Sequence, residues 1–258
     1  MTKIHKTVFG QGEPVVMLHG WAMHSRIWRT FAQQLASDRQ IVCLDLPGHG
    51  GSESVSPYVL DSVVDALLKA FPEQPCTLIG WSLGGSVALR LAEKYPDRVQ
   101  GLVMISSNPY FLKAEDWAGV ELSVLTAFAQ SLQKNCAATL LRFMSLQVQG
   151  MVNMKSYLTQ IKGAVQAYAP PTSEVLMGGL NILQTADLRG ALGGLTMPVQ
   201  VVLGEQDSLV PVAVGVQCRG CQMATELHII EGARHVPFIT HQQQVLGIVQ
   251  HFMARSGC

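Results

Sequence analysis

The sequence predicts an α/β fold: a mostly parallel sheet flanked by helices, with an all-helical insertion. Three observations carry this. Strand-length apolar runs alternate with runs of helical period from the start of the chain to Ile105, the pattern of parallel strands joined by crossover helices. From Ser106-Ser107-Asn108-Pro109 to about Thr185, successive helical patterns replace the alternation and no clear strand is visible. The alternation resumes at Val199 and runs to a closing helix. The expected organisation is a core in two parts, 1–108 and 186–258, around a helical lid insertion, 109–185.

Residues 3–9 suit a first edge strand, and Gly10-Gln11-Gly12-Glu13-Pro14 a turn. Val15-Val16-Met17-Leu18 reads as a buried strand ending in the loop His19-Gly20-Trp21. A helical period follows over 28–36 (Trp28, Phe31, Leu35), then the strand Ile41-Val42-Cys43-Leu44. That strand stops at Asp45-Leu46-Pro47-Gly48-His49-Gly50-Gly51-Ser52, where glycines and a proline exclude a regular element. An amphipathic helix is expected over 59–71 (Val59, Val63, Leu67, Phe71) and a strand over 99–105. In the insertion, helices are expected over 122–132, 136–147, 151–168 and, after Pro170-Pro171, 173–183. Strands at 199–203 and 227–230 end in Gly204-Glu205-Gln206-Asp207 and Glu231-Gly232-Ala233-Arg234-His235, and a helix over 242–253 closes the chain.

With 258 residues and 48% hydrophobic content, the chain can bury one large α/β core. Zero formal net charge gives no global basis for binding nucleic acid or an anionic membrane. No run approaches the ~18 apolar residues of a membrane span, and Lys3, His5 and Lys6 are not followed by a long apolar segment, so no secretory leader is expected. The cysteines Cys43, Cys76, Cys136, Cys218, Cys221 and Cys258 are scattered, with Cys43 and Cys76 in strand-like runs. Cys218-Arg219-Gly220-Cys221 has redox or metal spacing, but no second Cys/His pair lies near it, so a loop with two reduced thiols is expected and no metal. A monomer in the cytoplasm is the expectation.

The chemistry concentrates in Gly80-Trp81-Ser82-Leu83-Gly84-Gly85, preceded by the apolar run Cys76-Thr77-Leu78-Ile79 and followed by a helical pattern over 86–95. Strand, Gly-x-Ser-x-Gly, helix is a nucleophile elbow: a turn so tight that the serine hydroxyl is pushed clear of the backbone. Glycines at 80 and 84 leave room where a Cβ would clash with strand or helix. A serine hydroxyl is a poor nucleophile at neutral pH and needs a base, itself oriented by an acceptor. In this fold class the order is Ser, acid, His. After Ser82 the histidines are His228, His235, His241 and His251. Only His235 falls in a loop after a strand at the edge where the elbow opens. Asp207 follows a strand at the same edge, with Glu205 as its rival, while Asp97 precedes a strand at the opposite edge. The oxyanion donors are expected to be the backbone N–H groups of Leu83 and Trp21, with Gly20 letting the loop turn in. The indoles of Trp21 and Trp81 are candidates to wall the acyl pocket.

His19-Gly20-Trp21, the 45–50 loop, the elbow, Gly204-Glu205-Gln206-Asp207 and Gly232-Ala233-Arg234-His235 together resemble the α/β-hydrolase superfamily over nearly the whole chain. Within it, Gly-Trp-Ser-Leu-Gly-Gly, His-Gly-Trp and Arg142-Phe143-Met144-Ser145-Leu146-Gln147 resemble the biotin-pathway carboxylesterases that cleave the methyl ester of pimeloyl-acyl-carrier protein. The resemblance implies an α/β-hydrolase fold and a triad of Ser82, Asp207 and His235. It further implies a substrate site lined by Trp21, Leu83, Phe143, Met144, Ser145, Leu146 and Gln147, with no metal or organic cofactor. It also implies acyl-carrier protein as partner. Between Leu122 and Ser173 there is no Asp or Glu, yet Lys134, Arg142, Lys155 and Lys162 are present, so a docking surface for an acidic carrier is expected there.

Other chemistries share the scaffold. A thioesterase passes through the same acyl-enzyme, and C–C bond hydrolysis of dienones also uses Ser-His-Asp. A dehalogenase would need an aspartate at position 82, and a non-catalytic binding protein would be expected to lack a triad member.

Overall fold

The computed structural model describes residues 2–255; Cys258 lies outside the described residues. The strands are β1 (Lys6–Phe9), β2 (Glu13–Leu18), β3 (Arg39–Leu44), β4 (Cys76–Trp81), β5 (Val99–Ile105), β6 (Val199–Gly204) and β7 (Glu226–Ile230). They form a seven-stranded sheet in the order β1-β3-β2-β4-β5-β6-β7. Every pairing is parallel except β1 with β3, an antiparallel edge. The chain steps from β2 to β3 on one side and then to β4 on the other, so a crevice opens at the carboxyl ends of β2 and β4, where open α/β sheets place their sites.

The helices are α1 (Arg29–Leu35), preceded by a 3₁₀ turn at Ser25–Trp28, α2 (Leu60–Leu68), α3 (Leu83–Lys94), α4 (Leu122–Lys134), α5 (Cys136–Leu146), α6 (Met154–Val165), α7 (Ser173–Thr185), α8 (Arg189–Gly194), α9 (Ala213–Cys221), α10 (Pro237–Thr240) and α11 (Gln242–Arg255). The central strands β4, β5 and β6 are buried along almost their whole length because both faces of the sheet are covered, while the edge strands β1 and β7 carry polar and exposed residues. Alternate residues go to opposite faces. Val16, Leu18, Val42, Leu44, Leu78, Leu102 and Met104 pack with α2 and α3, whereas Val15, Met17, Ile41, Cys43, Ile79, Val103 and Ile105 pack with α1 and α11.

Of the helices between β5 and β6, α4 to α7 pack on one another, α4 on α5 and α7 and α5 on α6, while α8 packs on α3 and α9. The paired thiols are a correction to the sequence reading. Cys218 and Cys221 sit on α9, not in a loop, and Cys218 is buried in the core. Burial pushes its thiol up to about 12, far from a reactive thiolate. Among the described residues no group of three or more His, Cys, Asp or Glu side chains is placed to hold a metal, and no helix is long and apolar enough to cross a membrane.

Candidate active site

Ser82 joins β4 to α3 in the strained backbone conformation φ 55°, ψ −125°, a region side-chain-bearing residues rarely occupy. The surroundings enforce it. The Ser82 N–H donates to the Ile105 carbonyl at 3.1 Å, and its carbonyl accepts from Ser107 Oγ at 2.7 Å and Gly85 N–H at 2.9 Å. A Cβ on Gly80 would lie 2.4 Å from the Gly84 carbonyl oxygen, and one on Gly84 would lie 2.4 Å from the Leu18 carbonyl oxygen. The elbow therefore closes only with glycine on both sides. Ser82 sits at the amino end of α3, where N–H groups without intrahelical acceptors and the helix dipole favour negative charge.

His235 and Asp207 reach Ser82 from the loops after β7 and β6. These loops are pressed together: a Cβ on Gly204 would lie 2.2 Å from the Arg234 carbonyl oxygen, and Gln206 N–H donates to Ala233 O at 2.8 Å. His235 Nε2 lies 3.1 Å from Ser82 Oγ, and Nδ1 lies 2.8 Å from Asp207 Oδ2. A carboxylate only accepts, so Nδ1 carries the proton and Nε2 is free to accept from the serine. The other Asp207 oxygen accepts from Leu209 N–H at 2.8 Å and Val210 N–H at 3.1 Å, which fixes the carboxylate. All three side chains are buried. The rival acid has a different partner: Glu205 Oε2 accepts from Gly232 N–H at 2.9 Å and tethers the histidine loop. His228 stands on β7, 4.0 Å from Glu226; His241 Nδ1 meets Thr240 Oγ1; His251 is exposed on α11.

The loop after β2 lies against the serine. A Cβ on Gly20 would come within 3.1 Å of Ser82 Cβ. Leu83 is the first residue of α3, so its N–H has no acceptor within the helix. Trp21 extends from the same loop to the helices above: its Nε1–H donates to Leu176 O on α7 at 2.9 Å, and its ring meets Phe128 of α4 and Phe143 of α5 edge-on at 5.4 and 5.0 Å.

A cavity of about 110 Å³ opens onto Ser82. Its walls are otherwise apolar: Trp21, Phe111, Val120, Leu209, the α4 residues Val124, Leu125 and Phe128, Phe143 and Leu146 from α5, and Leu180 and Leu183 from α7. Of the segment expected to line the site, Phe143 and Leu146 do so. Met144, Ser145 and Gln147 are not among the lining residues. Met144 turns into the opposite core cluster with Val148 and Ile161, Ser145 Oγ bonds back to Leu141 O at 2.9 Å, and Gln147 is buried with no side-chain partner among the described residues. For Met144 and Ser145 helical geometry is the reason: Phe143 and Leu146, three apart, share a face, and the residues between them are turned away; Gln147 stands past the last residue of α5. Trp81 is a second correction. Its Nε1–H donates to the His235 carbonyl at 2.8 Å and its ring packs with Trp28 and Phe238, so it backs the histidine rather than walling the cavity. The wall residues on α4 and α7 escaped the sequence reading, although the spacings 124, 125, 128 and 180, 183 are those of one helix face.

Lys134, Arg142 and Lys155 are exposed and Lys162 is half-buried; among the described residues none of the four is in an ion pair. Arg142 borders a groove of about 440 Å³ between α4 and α5, and this groove shares Val124, Phe128 and Leu146 with the cavity at Ser82.

Comparison with known proteins shows the family and the fold. Residues 13–242 match the family model described as alpha/beta hydrolase fold. A curated relative from Methylococcus capsulatus, named pimeloyl-[acyl-carrier protein] methyl ester esterase, is 37% identical over 96% of this chain and 97% of its own length. One of the same name from Xylella fastidiosa is 39% identical over 96% and 97%. Among solved structures, an esterase from Exiguobacterium antarcticum superposes with a TM-score of 0.89 at 19% identity, covering 98% of this chain and 96% of that one, which speaks for the fold alone. The chain belongs to the α/β-hydrolase fold family, in the branch whose curated members carry the name pimeloyl-[acyl-carrier protein] methyl ester esterase.

Proposed function

We propose that this chain is a serine carboxylesterase that hydrolyses the methyl ester of pimeloyl-[acyl-carrier protein], with Ser82, His235 and Asp207 as its triad. The observation that carries the reading is the chain of contacts from Asp207 through His235 to a serine that opens into an apolar cavity. Ser82 Oγ attacks the ester carbonyl carbon while His235 Nε2 takes its proton. The oxyanion is held by the N–H groups of Leu83 and Trp21. Collapse of the tetrahedral intermediate expels methanol, which leaves with the proton from His235. Water then attacks the acyl-enzyme, giving its proton to Nε2; this proton returns to Ser82 Oγ as the free acid leaves. Asp207 stabilises the imidazolium in both steps and is not itself protonated.

In this reading α4 to α7, within 109–185, form a lid. The apolar cavity takes the acyl chain, and the groove beside Arg142 gives an extended arm a path to Ser82. Lys134, Arg142, Lys155 and Lys162 would meet an acidic carrier protein on the lid surface. The names of the curated relatives support this substrate. The test is hydrolysis of the carrier-bound methyl ester against the free methyl ester, with Ser82→Ala alongside. Faster turnover of the carrier-bound ester and an inactive Ser82→Ala are expected. Dienone cleavage outpacing ester cleavage would overturn the reading.

A further inference from the structure

We propose that His19 is a positioning residue for the oxyanion site: its ring holds the Gly20 carbonyl and thereby aims the Trp21 N–H. The proposal rests on the reading of that N–H as an oxyanion donor. The peptide between Gly20 and Trp21 is trans. In a planar trans peptide the C=O and the following N–H are rigidly joined and point opposite ways. Whatever fixes the Gly20 carbonyl therefore fixes the direction of the Trp21 N–H.

Two donors fix that carbonyl. His19 Nδ1 lies 2.8 Å from Gly20 O, and Met23 N–H donates to the same oxygen at 3.3 Å. The second bond is longer and comes from a residue beyond Ala22, whose φ of 59° already makes the turn unusual. The histidine contact is the shorter restraint. The partners also set its tautomer. A carbonyl can only accept, so Nδ1 bears the hydrogen; Nε2 must then be an acceptor, and it is, taking the Leu46 N–H at 2.9 Å. The ring ties the loop after β2 to the loop after β3 through one nitrogen, and orients the peptide through the other.

The surroundings hold the ring in place. His19 is fully buried and packs 5.2 Å from the His49 ring. Beside it, Asp45 accepts from Ser25 N–H at 2.7 Å and Gly51 N–H at 2.8 Å, fixing the adjoining loop. Gly20, which begins this peptide, lies beside the nucleophile: a Cβ on it would come within 3.1 Å of Ser82 Cβ. His19 is not among the cavity-lining residues, so its effect passes through the peptide.

Side-chain length separates the two contacts of the ring. In His19→Asn the amide nitrogen takes the place of Nδ1 and still donates to Gly20 O, but the side chain is too short for Leu46. In His19→Gln the amide oxygen reaches the Leu46 N–H and the donor to Gly20 is lost. His19→Ala loses both. The measurements are kcat and KM on a small free ester, affinity for an alkyl boronic acid that forms a tetrahedral adduct on serine, and melting temperature. We expect kcat to fall about ten- to hundredfold in His19→Gln and His19→Ala, part of what losing a whole oxyanion donor costs. KM should stay within about threefold, because ground-state binding is untouched. His19→Asn should recover most of kcat and of the boronic acid affinity even where it melts lower than His19→Gln. A reversed order, equal losses in all three, or kcat within about twofold throughout would overturn the proposal. Ser82→Ala is run in parallel. If it is inactive while His19→Gln matches wild type, the positioning role fails alone; if Ser82→Ala still turns over, the esterase reading fails and takes this proposal with it.

Discussion

At Asp207 each carboxylate oxygen has its own task. One accepts from the imidazole, and the other is pinned by two backbone N–H groups of its own loop. Asp207→Asn keeps the shape but offers an N–H₂ or a weaker carbonyl to Nδ1, so the working tautomer is lost. Turnover of any ester should fall by about 10⁴, the scale of the same change in another serine triad. Glu205→Gln leaves the triad alone and weakens one tether to Gly232, a loss of about 1 kcal/mol in stability with turnover nearly unchanged. Paired kinetics and denaturant titrations check both; the reverse pattern would make Glu205 the acid. Ser82, Asp207 and His235 could be singled out in the sequence because Ser82 directly follows a strand and the other two lie in the loops after strands, and strand ends in a parallel sheet share one edge. Trp81 was not legible in the same way. It neighbours the serine in sequence, but successive strand residues face opposite sides of the sheet, which puts its indole behind His235.

On α5, Phe143 and Leu146 face the cavity and Met144 faces the core. The cavity bottom is therefore made of side chains from α4, α5 and α7 closing over Ser82, and it is finite. Each methylene of an acyl chain gains about 0.8 kcal/mol on burial, roughly fourfold in kcat/KM, until the space is filled. A series of p-nitrophenyl esters should show rates rising over short chains, a break at medium length, and poor long-chain turnover. Leu146→Trp should move the break to shorter chains. Rates that climb through long chains, or activation at an oil–water interface, would contradict a bounded pocket. The same scale shows why some helices were hidden in the sequence. α9, Ala-Val-Gly-Val-Gln-Cys-Arg-Gly-Cys, carries two glycines and two valines and has weak intrinsic helix propensity. It is helical because Val214 and Cys218 are buried, and Gly215 lets the helix approach so closely that a Cβ there would lie 2.4 Å from the Leu227 side chain. α8 is half glycine and is held in the same tertiary way. The long insertion helices have strong apolar periodicity of their own, which is why they could be read.

Across the whole molecule the formal charge is zero, so the four cations between Leu122 and Ser173 are matched by an equal acidic excess elsewhere. Such a polarity speeds encounter with an acidic partner and loses that advantage in salt. Arg142→Glu with Lys155→Glu should slow the carrier-bound ester and weaken its salt dependence, with the free ester unchanged; equal losses on both substrates would point to damaged folding of α4 to α7. Stability against pH has a different origin, in the buried histidines of the loops after β2 and β3. Burial pushes His49 down to about 4, with smaller opposing effects from the Pro47 carbonyl and Asp45. His19 is likewise held well below the ordinary histidine value, first by burial and then by its neighbour His49. Both are neutral in the folded protein and regain an ordinary pKa of about 6.5 on unfolding. Below that value the unfolded chain binds more protons than the folded one, so stability falls as the solution is acidified and rises with pH across the window. For His49 the loss begins near pH 6.5, reaches about 2 kcal/mol at pH 5, and levels off only below about pH 4. His49→Asn tests this. It can keep the contact that His49 Nδ1 makes to Pro47 O at 3.0 Å, and it discards an Nε2 that has no partner among the described residues. Urea midpoints measured from pH 7.5 to 4.5 should fall steeply for the wild type and less steeply for His49→Asn, the slopes differing by about one proton near pH 5. Parallel slopes would mean that His49 is protonated as readily in the folded protein as in the unfolded chain, and that the acid sensitivity of this fold lies elsewhere.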